Sequence, residues 1–300
     1  MLFIVQHKTW DVIMEHFSIR PFKDGDIDFA YKLDVIEQWN HTRNDIKRML
    51  SFEPSGCFIA EMSGKPVGHV FSISYGRLGW IGFLIVKAEY RRRGIGTLLM
   101  KRAMDYLLSR RANTIKLEAV PIIANLYRKL GFVDEFDSLR FISAGGKITC
   151  MSSHGVKLLK KRETIQLAEF DAEYFGANRI RVLNGLYQDN PQLCFVSRNG
   201  SKIVGYAMCY EAESGHRIGP WVCNPENPQV ARELLIKCME KIGCYEKLYV
   251  GVPAMNEAAV KILQDFDFKQ YSKSIRMYLG EKLETERADG VFAIGGPEKG

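Results

Sequence analysis

The amino-acid sequence predicts a mixed α/β fold, an α+β arrangement on a mixed sheet, present as two tandem copies. Three observations support this prediction. An apolar strand pattern leads through a glycine- and arginine-rich loop into a helix, strand and helix patterns alternate along the first half, and several short motifs recur in the second half. The chain has 300 residues, which is enough for about two domains.

The first half follows the order β-α-α-β-β-β-α-β-α-β. Strands are predicted where β-branched and aromatic residues cluster, and helices where apolar residues recur every three or four positions. Asp26 is a candidate N-cap for the first helix, and Thr42 or Asn44 for the second. The predicted strands are residues 17–21, 57–62, 66–75, 80–86 and 115–120, with one or two more in 132–141; the predicted helices are 25–39, 41–51, a segment after position 94, and 124–130.

The chain is organised around the junction of a strand and a helix at residues 78–97. The apolar run 80–86 is followed by Arg91-Arg92-Arg93-Gly94-Ile95-Gly96 and then by a helical pattern. The first N–H groups of a helix have no intrahelical acceptor, and the helix dipole makes that end positive. Glycine lets the backbone approach a ligand closely. The pattern therefore predicts a cradle for a pyrophosphate, and the alternative is a glycine-relieved turn with a solvated basic face.

This loop resembles one particular family. The sequence has no Gly-x-Gly-x-x-Gly here, since position 99 is leucine, and no Gly-Lys-Ser/Thr. Arg-x-x-Gly-x-Gly after an apolar strand resembles the acetyl-CoA loop of the GNAT N-acetyltransferases, and residues 86–90 are similar to that family's passage from strand to loop. The resemblance implies the GNAT acyl-CoA N-acyltransferase fold and acetyl-CoA as the cofactor.

The same resemblance implies where the cofactor lies. The pyrophosphate would bind the main-chain amides of the loop and the helix start, with arginine side chains near the phosphates. The pantetheine arm would run along the end of the preceding strand. The family's usual asparagine before the next helix is missing, which makes Asn125 a further candidate. The predicted cofactor-binding residues are Leu84, Ile85, Val86, Arg91, Arg92, Arg93, Gly94, Ile95, Gly96, Thr97 and Asn125.

Two residues are predicted to be catalytic. Residues 125–132 resemble the family's Leu-Tyr-x-Lys-x-Gly-Phe helix, which implies that Tyr127 protonates the leaving thiolate; the alternative is a tyrosine that packs on the sheet. For the general base, Glu118 is the candidate by pattern. An ion pair with Lys116 or a solvated position would account for Glu118 equally well, and His69 or a chain of water molecules are alternative bases.

The second half repeats the first. Residues 65–69 recur as 202–206 at an offset of 137 (Val67 to Val204), and residues 98–101 recur as 234–237 at an offset of 136. In the second copy Val230 and Arg232 replace the two loop glycines, and Pro228 has no N–H. The prediction is a catalytic domain at residues 1–148 that binds acetyl-CoA, and a degenerate domain at 149–300 that packs or shapes the acceptor site.

Composition limits the classes of partner. The net charge of +7 is spread without a dense basic stripe, which argues against nucleic acid. No window approaches the ~20 apolar residues of a membrane span. Seven scattered cysteines without a Cys-x-x-Cys pair favour a reducing cytoplasm, and six dispersed histidines make a metal site unexpected. The sequence gives no oligomeric state.

The predicted function is acetyl-CoA-dependent N-acetyl transfer to a primary amine, on a small molecule or a peptide, by direct attack. An acidic group could attract a cationic amine, and it consists of Asp134, Glu135 and Asp137. Two aromatic residues, Trp221 and Phe175, are candidates to line the acceptor cleft. The alternatives are a non-catalytic acyl-CoA-binding sensor or scaffold, and an N-acyltransferase that uses a longer acyl-CoA. The apolar and glycine-rich segment 291–300 is expected either to dock or to fray.

Overall fold

The computed structural model describes residues 16–143, 155–243, 246–283 and 285–300. Internal contacts divide the chain into two compact units, the first within Met1–Ser74 and Ile81–Arg111 and the second within Tyr75–Trp80 and Ala112–Gly300. Each half of the chain has the element order β-α-α-β-β-β-α-β-α-β, which confirms the predicted mixed α/β fold in two copies. A short additional strand follows the second copy.

The first unit contains the strands and helices that precede the loop at 91–94, together with the helix after it, except that residues 75–80, at the end of one strand and the start of the next, group with the second unit. Strands β1, β2 and β3 are antiparallel neighbours, and β4 follows β3 in the sheet. The elements are β1 (Phe17–Pro21), α1 (Ile27–Glu37), α2 (Arg43–Phe52), β2 (Cys57–Met62), β3 (Lys65–Tyr75), β4 (Leu78–Val86) and α3 (Ile95–Ser109).

The caps of the first two helices follow the sequence in part. Thr42 caps α2: its hydroxyl accepts a hydrogen bond from Asp45 N, and the Asp45 carboxylate accepts one from Thr42 N. This confirms one of the two predicted alternatives. Asp26 precedes α1 but does not cap it with its side chain, because its carboxylate is held by Arg20 and by the amide of Lys23.

The second unit contains a sheet in the order β5-β12-β6-β11-β10-β9-β8-β7, with β13 paired to β10. Its helices pack around a core of aliphatic and aromatic side chains from β8 to β11 and α7. The elements are β5 (Thr114–Ala119), α4 (Ala124–Lys129), β6 (Val133–Ser143), β7 (Val156–Leu158), α5 (Thr164–Phe175), α6 (Ile180–Asp189), β8 (Cys194–Asn199), β9 (Lys202–Glu211), β10 (His216–Cys223), α7 (Pro228–Ile242), β11 (Leu248–Pro253), α8 (Glu257–Asp265), β12 (Lys269–Gly280) and β13 (Val291–Ala293).

The two copies exchange strands in this sheet. Strand β12, from the second copy, pairs antiparallel with β5 and β6 of the first, and β6 pairs in turn with β11 of the second. The exchange explains why residues after Ala112 group with the second half in the compact units. The division at 148/149, drawn from the sequence repeat, stays a prediction.

The last ten residues lie inside the second unit. Strand β13 pairs with Trp221 and Val222 of β10, and Ile294 N donates a hydrogen bond to Gly251 O on β11. After β13, the chain accepts two side-chain hydrogen bonds. Tyr75 donates to Lys299 O at 2.8 Å, and Trp80 donates to Pro297 O at 3.0 Å. The segment 291–300 therefore docks, as one of the two sequence expectations had it.

Candidate functional site

The end of strand β4 departs from regular extended backbone at one residue. Phe83 has a φ of 51°, in the left-handed region that a bulky side chain rarely adopts. Its ring is buried against Phe71, with centroids 5.4 Å apart, and against His41, with centroids 4.6 Å apart. Breaks of this kind in a strand are frequent beside functional sites. The predicted cofactor-binding residues Leu84, Ile85 and Val86 follow directly.

The loop after β4 leads into α3 through two left-handed residues. Arg92 has a φ of 62°, and Gly94 has a φ of 75° and is the residue before the helix. The first main-chain hydrogen bond of α3 runs from Leu98 N to Gly94 O at 3.0 Å, so the N–H groups of residues 95–97 precede the helical ladder. A Cβ built on Gly94 would meet no atom within 4 Å. This is the geometry of an anion-binding helix start with open space in front of it.

The three loop arginines have different roles. Arg91 fastens the loop to the rest of the first unit, because its Nε donates to Val86 O at 2.8 Å and its guanidinium pairs with Glu37 on α1. Arg93 lies over the ring of Tyr90 at 5.3 Å. Arg92 and Arg93 are exposed. Their positive charge borders the open side of the helix start, where an anion would be attracted.

Tyr127 lies on the short helix α4 in the second unit. It is buried, and its ring meets Phe132 edge to face at a centroid distance of 6.1 Å. Burial raises the pKa of the Tyr127 phenol. The phenol therefore keeps its proton at neutral pH, which is the form that an acid requires, and its catalytic role stays a prediction.

Asn125 is exposed on α4, and its side-chain oxygen accepts a hydrogen bond from Arg128 at 2.7 Å. The equivalent helix of the second copy, α8, does have an asparagine cap. Asn256 accepts from Ala259 N and donates to Asp289 O and Val291 O, each at 3.0 Å. Asn125 therefore lacks the capping position that Asn256 holds, and its contact with a cofactor stays a prediction.

Glu118, the predicted base, is fully buried among cations and hydroxyls. It accepts from Arg276 Nε at 2.6 Å and from Ser138 at 2.8 Å, and Ser274 and Arg140 also contact it. Burial opposes the charge, but the two guanidinium groups and their hydrogen bonds outweigh it, so the pKa of Glu118 lies below its usual value. This environment is typical of a structural ion pair and weighs against the predicted role of general base.

The neighbouring charges complete a buried network. Lys116, which the sequence offered as a partner of Glu118, instead pairs with Glu135 at 3.0 Å and with Glu286. Glu286 also accepts from Arg276 at 3.1 Å, and the Arg276 guanidinium lies 4.5 Å from the centre of the Trp80 ring. Each buried charge in this cluster therefore has an opposite partner.

The other residues that the sequence suggested for the acceptor site or as a base have partners within the protein. Asp134 and Asp137 pair with Arg128 and Lys273, both at 2.6 Å, which weakens the case for an acidic surface that attracts an amine. The ring of Trp221 packs on Phe292, at a centroid distance of 5.2 Å. His69 is wholly buried near the rings of Phe22 and Phe71, and burial lowers its pKa to about 4.

Sequence reasoning missed one polar pair of the first unit. His41, in the connection between α1 and α2, has its Nδ1 atom 2.6 Å from Asp34 Oδ2, and its main-chain N–H donates to Asp34 Oδ1 at 3.1 Å. Side-chain exposure is 2% for His41 and 0% for Asp34. The sequence repeat could have pointed to this aspartate, because Asp34 recurs as Asp171 at the offset of 137.

Comparisons with known proteins follow the two copies. A model of the acetyltransferase (GNAT) family matches residues 15–132, and a model of an acetyltransferase (GNAT) domain matches residues 167–293. The chain belongs to the GNAT acetyltransferase family. This tandem GNAT acetyltransferase is 29% identical over 138 residues to acetyltransferase ECA0875 of Pectobacterium atrosepticum. The match covers 44% of this chain and 95% of that protein.

Solved structures match both GNAT copies together. A putative acetyltransferase from Pyrococcus horikoshii is 28% identical, with a TM-score of 0.81 over 95% of this chain and 96% of that one. A tandem GNAT protein from the clavulanic acid biosynthesis pathway shares the fold at 12% identity, with a TM-score of 0.59 over 88% of this chain and 98% of that one.

Within the described ranges, no group of three or more histidine, cysteine, aspartate and glutamate side chains is placed to hold a metal ion. Across the helices of those same ranges, none is both long enough and apolar enough for a membrane crossing.

Proposed function

We propose that this GNAT acetyltransferase depends on acetyl-CoA and moves the acetyl group to a primary amine by direct attack. In this proposal residues 1–148 form the catalytic copy, and residues 149–300 form a copy that binds no cofactor. The observation that carries the proposal is the start of α3. Three N–H groups precede the helical ladder there, behind a left-handed Gly94 that faces open space.

The fit of the cofactor rests on this chain's own atoms. The amides of residues 95–97 would hold the pyrophosphate, and the exposed Arg92 and Arg93 would add charge-assisted contacts. Arg91 is already engaged with Val86 O and Glu37, so its part is to position the loop. When bound, acetyl-CoA supplies an activated acyl group with a thiolate as leaving group.

The second copy supports the same assignment by contrast. Its helix α7 begins at Pro228, and Asn227 before it carries no side-chain cap hydrogen bond. Proline at the first helical position has no N–H to offer a phosphate. The two loop glycines are replaced by Val230 and Arg232. A second cofactor molecule is therefore not expected on this half.

The test combines calorimetry with a thiol-release assay. Titration with acetyl-CoA should give one binding site per chain, and a panel of primary amines should contain at least one that releases free thiol. Binding without release on any amine would favour the sensor or scaffold instead. Faster release from bulkier acyl-CoA donors than from acetyl-CoA would favour a longer-chain acyltransferase.

The predicted role of Tyr127 has its own variant. Tyr127→Phe should lower kcat by about 100-fold or more, which is the usual contribution of general acid catalysis, while the acetyl-CoA affinity stays within about two-fold. Equal turnover by the variant and the wild-type protein would remove the tyrosine from the mechanism.

A further inference from the structure

The buried pair Asp34–His41 has the geometry of a proton acceptor and its orienting carboxylate. Asp34 Oδ2 is 2.6 Å from Nδ1 of His41, and Oδ1 accepts the main-chain N–H of the same residue. A carboxylate on Nδ1 fixes the tautomer of a neutral imidazole, because Nδ1 carries the proton and Nε2 keeps the lone pair. It also stabilises the imidazolium that forms when Nε2 takes up a proton.

The pair lies beside the strand that the proposed function assigns to the cofactor arm. The ring of His41 packs at a tilt against that of Phe83, the residue directly before Leu84, with the ring centroids 4.6 Å apart. With the pyrophosphate at residues 95–97, the arm would run back along β4 from Val86 towards Leu84. The acyl end of the arm would then lie on the Phe83 side, which is where His41 is.

The second copy holds the same carboxylate with a different partner. Helices α1 and α5 both end at a left-handed residue, Gln38 and Gly176. His41 lies three positions after Gln38, and Arg179 lies three positions after Gly176. Arg179 pairs with Asp171 through two hydrogen bonds of 2.8 Å. The copy with the cofactor loop therefore carries a group that can exchange a proton. The copy without the loop carries a permanent cation.

Arg179 also indicates what a side chain at this position faces. Its guanidinium donates to Gly300 O, in the segment that continues from β13. Strand β13 pairs with Trp221 and Val222, which correspond at the offset of 137 to Leu84 and Ile85. In the second copy, the chain's own segment thus occupies the place that the proposed function gives to the cofactor arm, and Arg179 binds the continuation of that segment.

We propose that His41 is the general base of this acetyltransferase and that Asp34 is its positioning residue, an inference that rests on the proposed function. Nε2 of His41 accepts a proton from the acceptor amine as the new bond between nitrogen and acyl carbon forms. The bond from acyl carbon to sulfur breaks, and the sulfur leaves with its electron pair as a thiolate that a separate acid protonates.

The described neighbours of the Asp34–His41 pair include aromatic rings, a histidine and an ion pair. Phe83 on β4 and Trp39 in the same connection contribute aromatic rings. His69 on β3 is in reach of the charge of Asp34, and burial keeps it neutral. On α2, Asp45 and Arg48 pair with each other at 3.1 Å. Asp34 is a charged group in direct contact with the His41 imidazole.

The experiment uses the full chain and three variants. In His41→Asn the amide can still donate to Asp34 but has no proton acceptor in place of Nε2. We expect kcat to fall about 100-fold, which is the lower end for a lost general base, with acetyl-CoA affinity unchanged within about two-fold. The acidic limb of the pH–rate profile should disappear.

Asp34→Asn should move the acidic limb of the pH–rate profile to lower pH without abolishing it. The base remains, but the imidazolium loses the negative charge that stabilises it. Asp171→Asn is the matched control: it removes the corresponding carboxylate of the second copy and should lower the Tm while leaving the pH–rate profile in place.

Two results would overturn the inference. If the pH–rate profile of His41→Asn superimposes on that of the wild-type protein, His41 is not the base although the proposed function stands. If the wild-type protein releases no thiol with any amine of the panel, the proposed function fails and the role of His41 fails with it.

Discussion

Gly94 and Gly64 form a natural pair for testing the loop at the level of single residues. Gly64 lies in the turn between β2 and β3 with a φ of 73°, and Gly94 lies before α3 with a φ of 75°; a Cβ on either would meet no atom within 4 Å. A valine at either position costs about 1–2 kcal/mol, because an L-residue resists left-handed backbone. The two substitutions therefore carry similar strain.

Only Gly94→Val should abolish binding of acetyl-CoA in calorimetry, because its side chain would fill the space in front of the helix amides. Gly64→Val should lose a similar amount of stability and keep its affinity. Equal affinities for the two variants would contradict the assignment of the loop.

Glu118→Gln should reveal the role of the buried network. The substitution removes the carboxylate that Arg276 and Arg140 share, although Arg276 keeps its bond to Glu286, and breaking a buried ion pair typically costs about 3–5 kcal/mol. The pKa of Glu118 is lowered in the folded protein, so the charged form stabilises the fold above the usual glutamate pKa, and this contribution is lost as the pH falls through the lowered value. Denaturant unfolding across pH should show the largest difference near neutrality. A constant difference at every pH would count against this account.

The contrast between loop and network shows what the sequence could reveal at this scale. The left-handed loop and the helix start after it were predictable because their residues are contiguous, and their role in cofactor binding stays a prediction. The buried network around Glu118 was not predictable, because its partners Arg276 and Ser274 stand on a strand of the other copy. The Asp34–His41 pair was missed because its two residues lie seven positions apart and meet only through the turn after α1.

At the level of elements, two asparagines at the starts of α4 and α8 differ in burial. Asn256 is 3% exposed and bonds to three main-chain groups, two of them just before and within β13. Asn125 is exposed and contacts Arg128.

Asn256→Ala should lower the free energy of unfolding by about 1–3 kcal/mol, since it leaves the buried Val291 carbonyl and the Asp289 carbonyl without their donor. Asn125→Ala should change it by less than about 0.5 kcal/mol, as surface substitutions usually do. Thermal unfolding of both variants measures the difference. A similar Tm for the two would mean that the cap and the docked segment contribute little. Calorimetry of Asn125→Ala with acetyl-CoA separately tests the predicted contact of this residue with the cofactor.

The elements themselves were well predicted, because periodicity and caps are local properties of the chain. Strand β4 was expected at residues 80–86 and is found at Leu78–Val86, and Thr42 caps α2. The order of strands was not predictable in the same way. Residues 132–141 were expected to give one or two strands of the first copy; they lie largely in the single strand β6, and the place beside it belongs to β12. Pairing between distant segments leaves no local pattern.

At the level of the whole molecule, the strand exchange predicts that the first copy does not fold alone. A fragment of residues 1–148 would leave β5 without β12 and β6 without either neighbour, and Glu118 without Arg276. It should lack a cooperative thermal transition. Co-expression with residues 149–300 should restore one. A cooperative transition of the isolated fragment would show that the exchanged strands are dispensable and that the boundary at 148/149 separates independent domains.

The exchange has a consequence for synthesis on the ribosome. Ser274 and Glu118, which bond across β12 and β5, are 156 residues apart along the chain. The edge of β5 must therefore stay open while most of the second copy is still being translated, and an open edge can pair with another nascent chain. We expect chaperone dependence and slow translation to affect the yield of this protein more than its final stability would suggest.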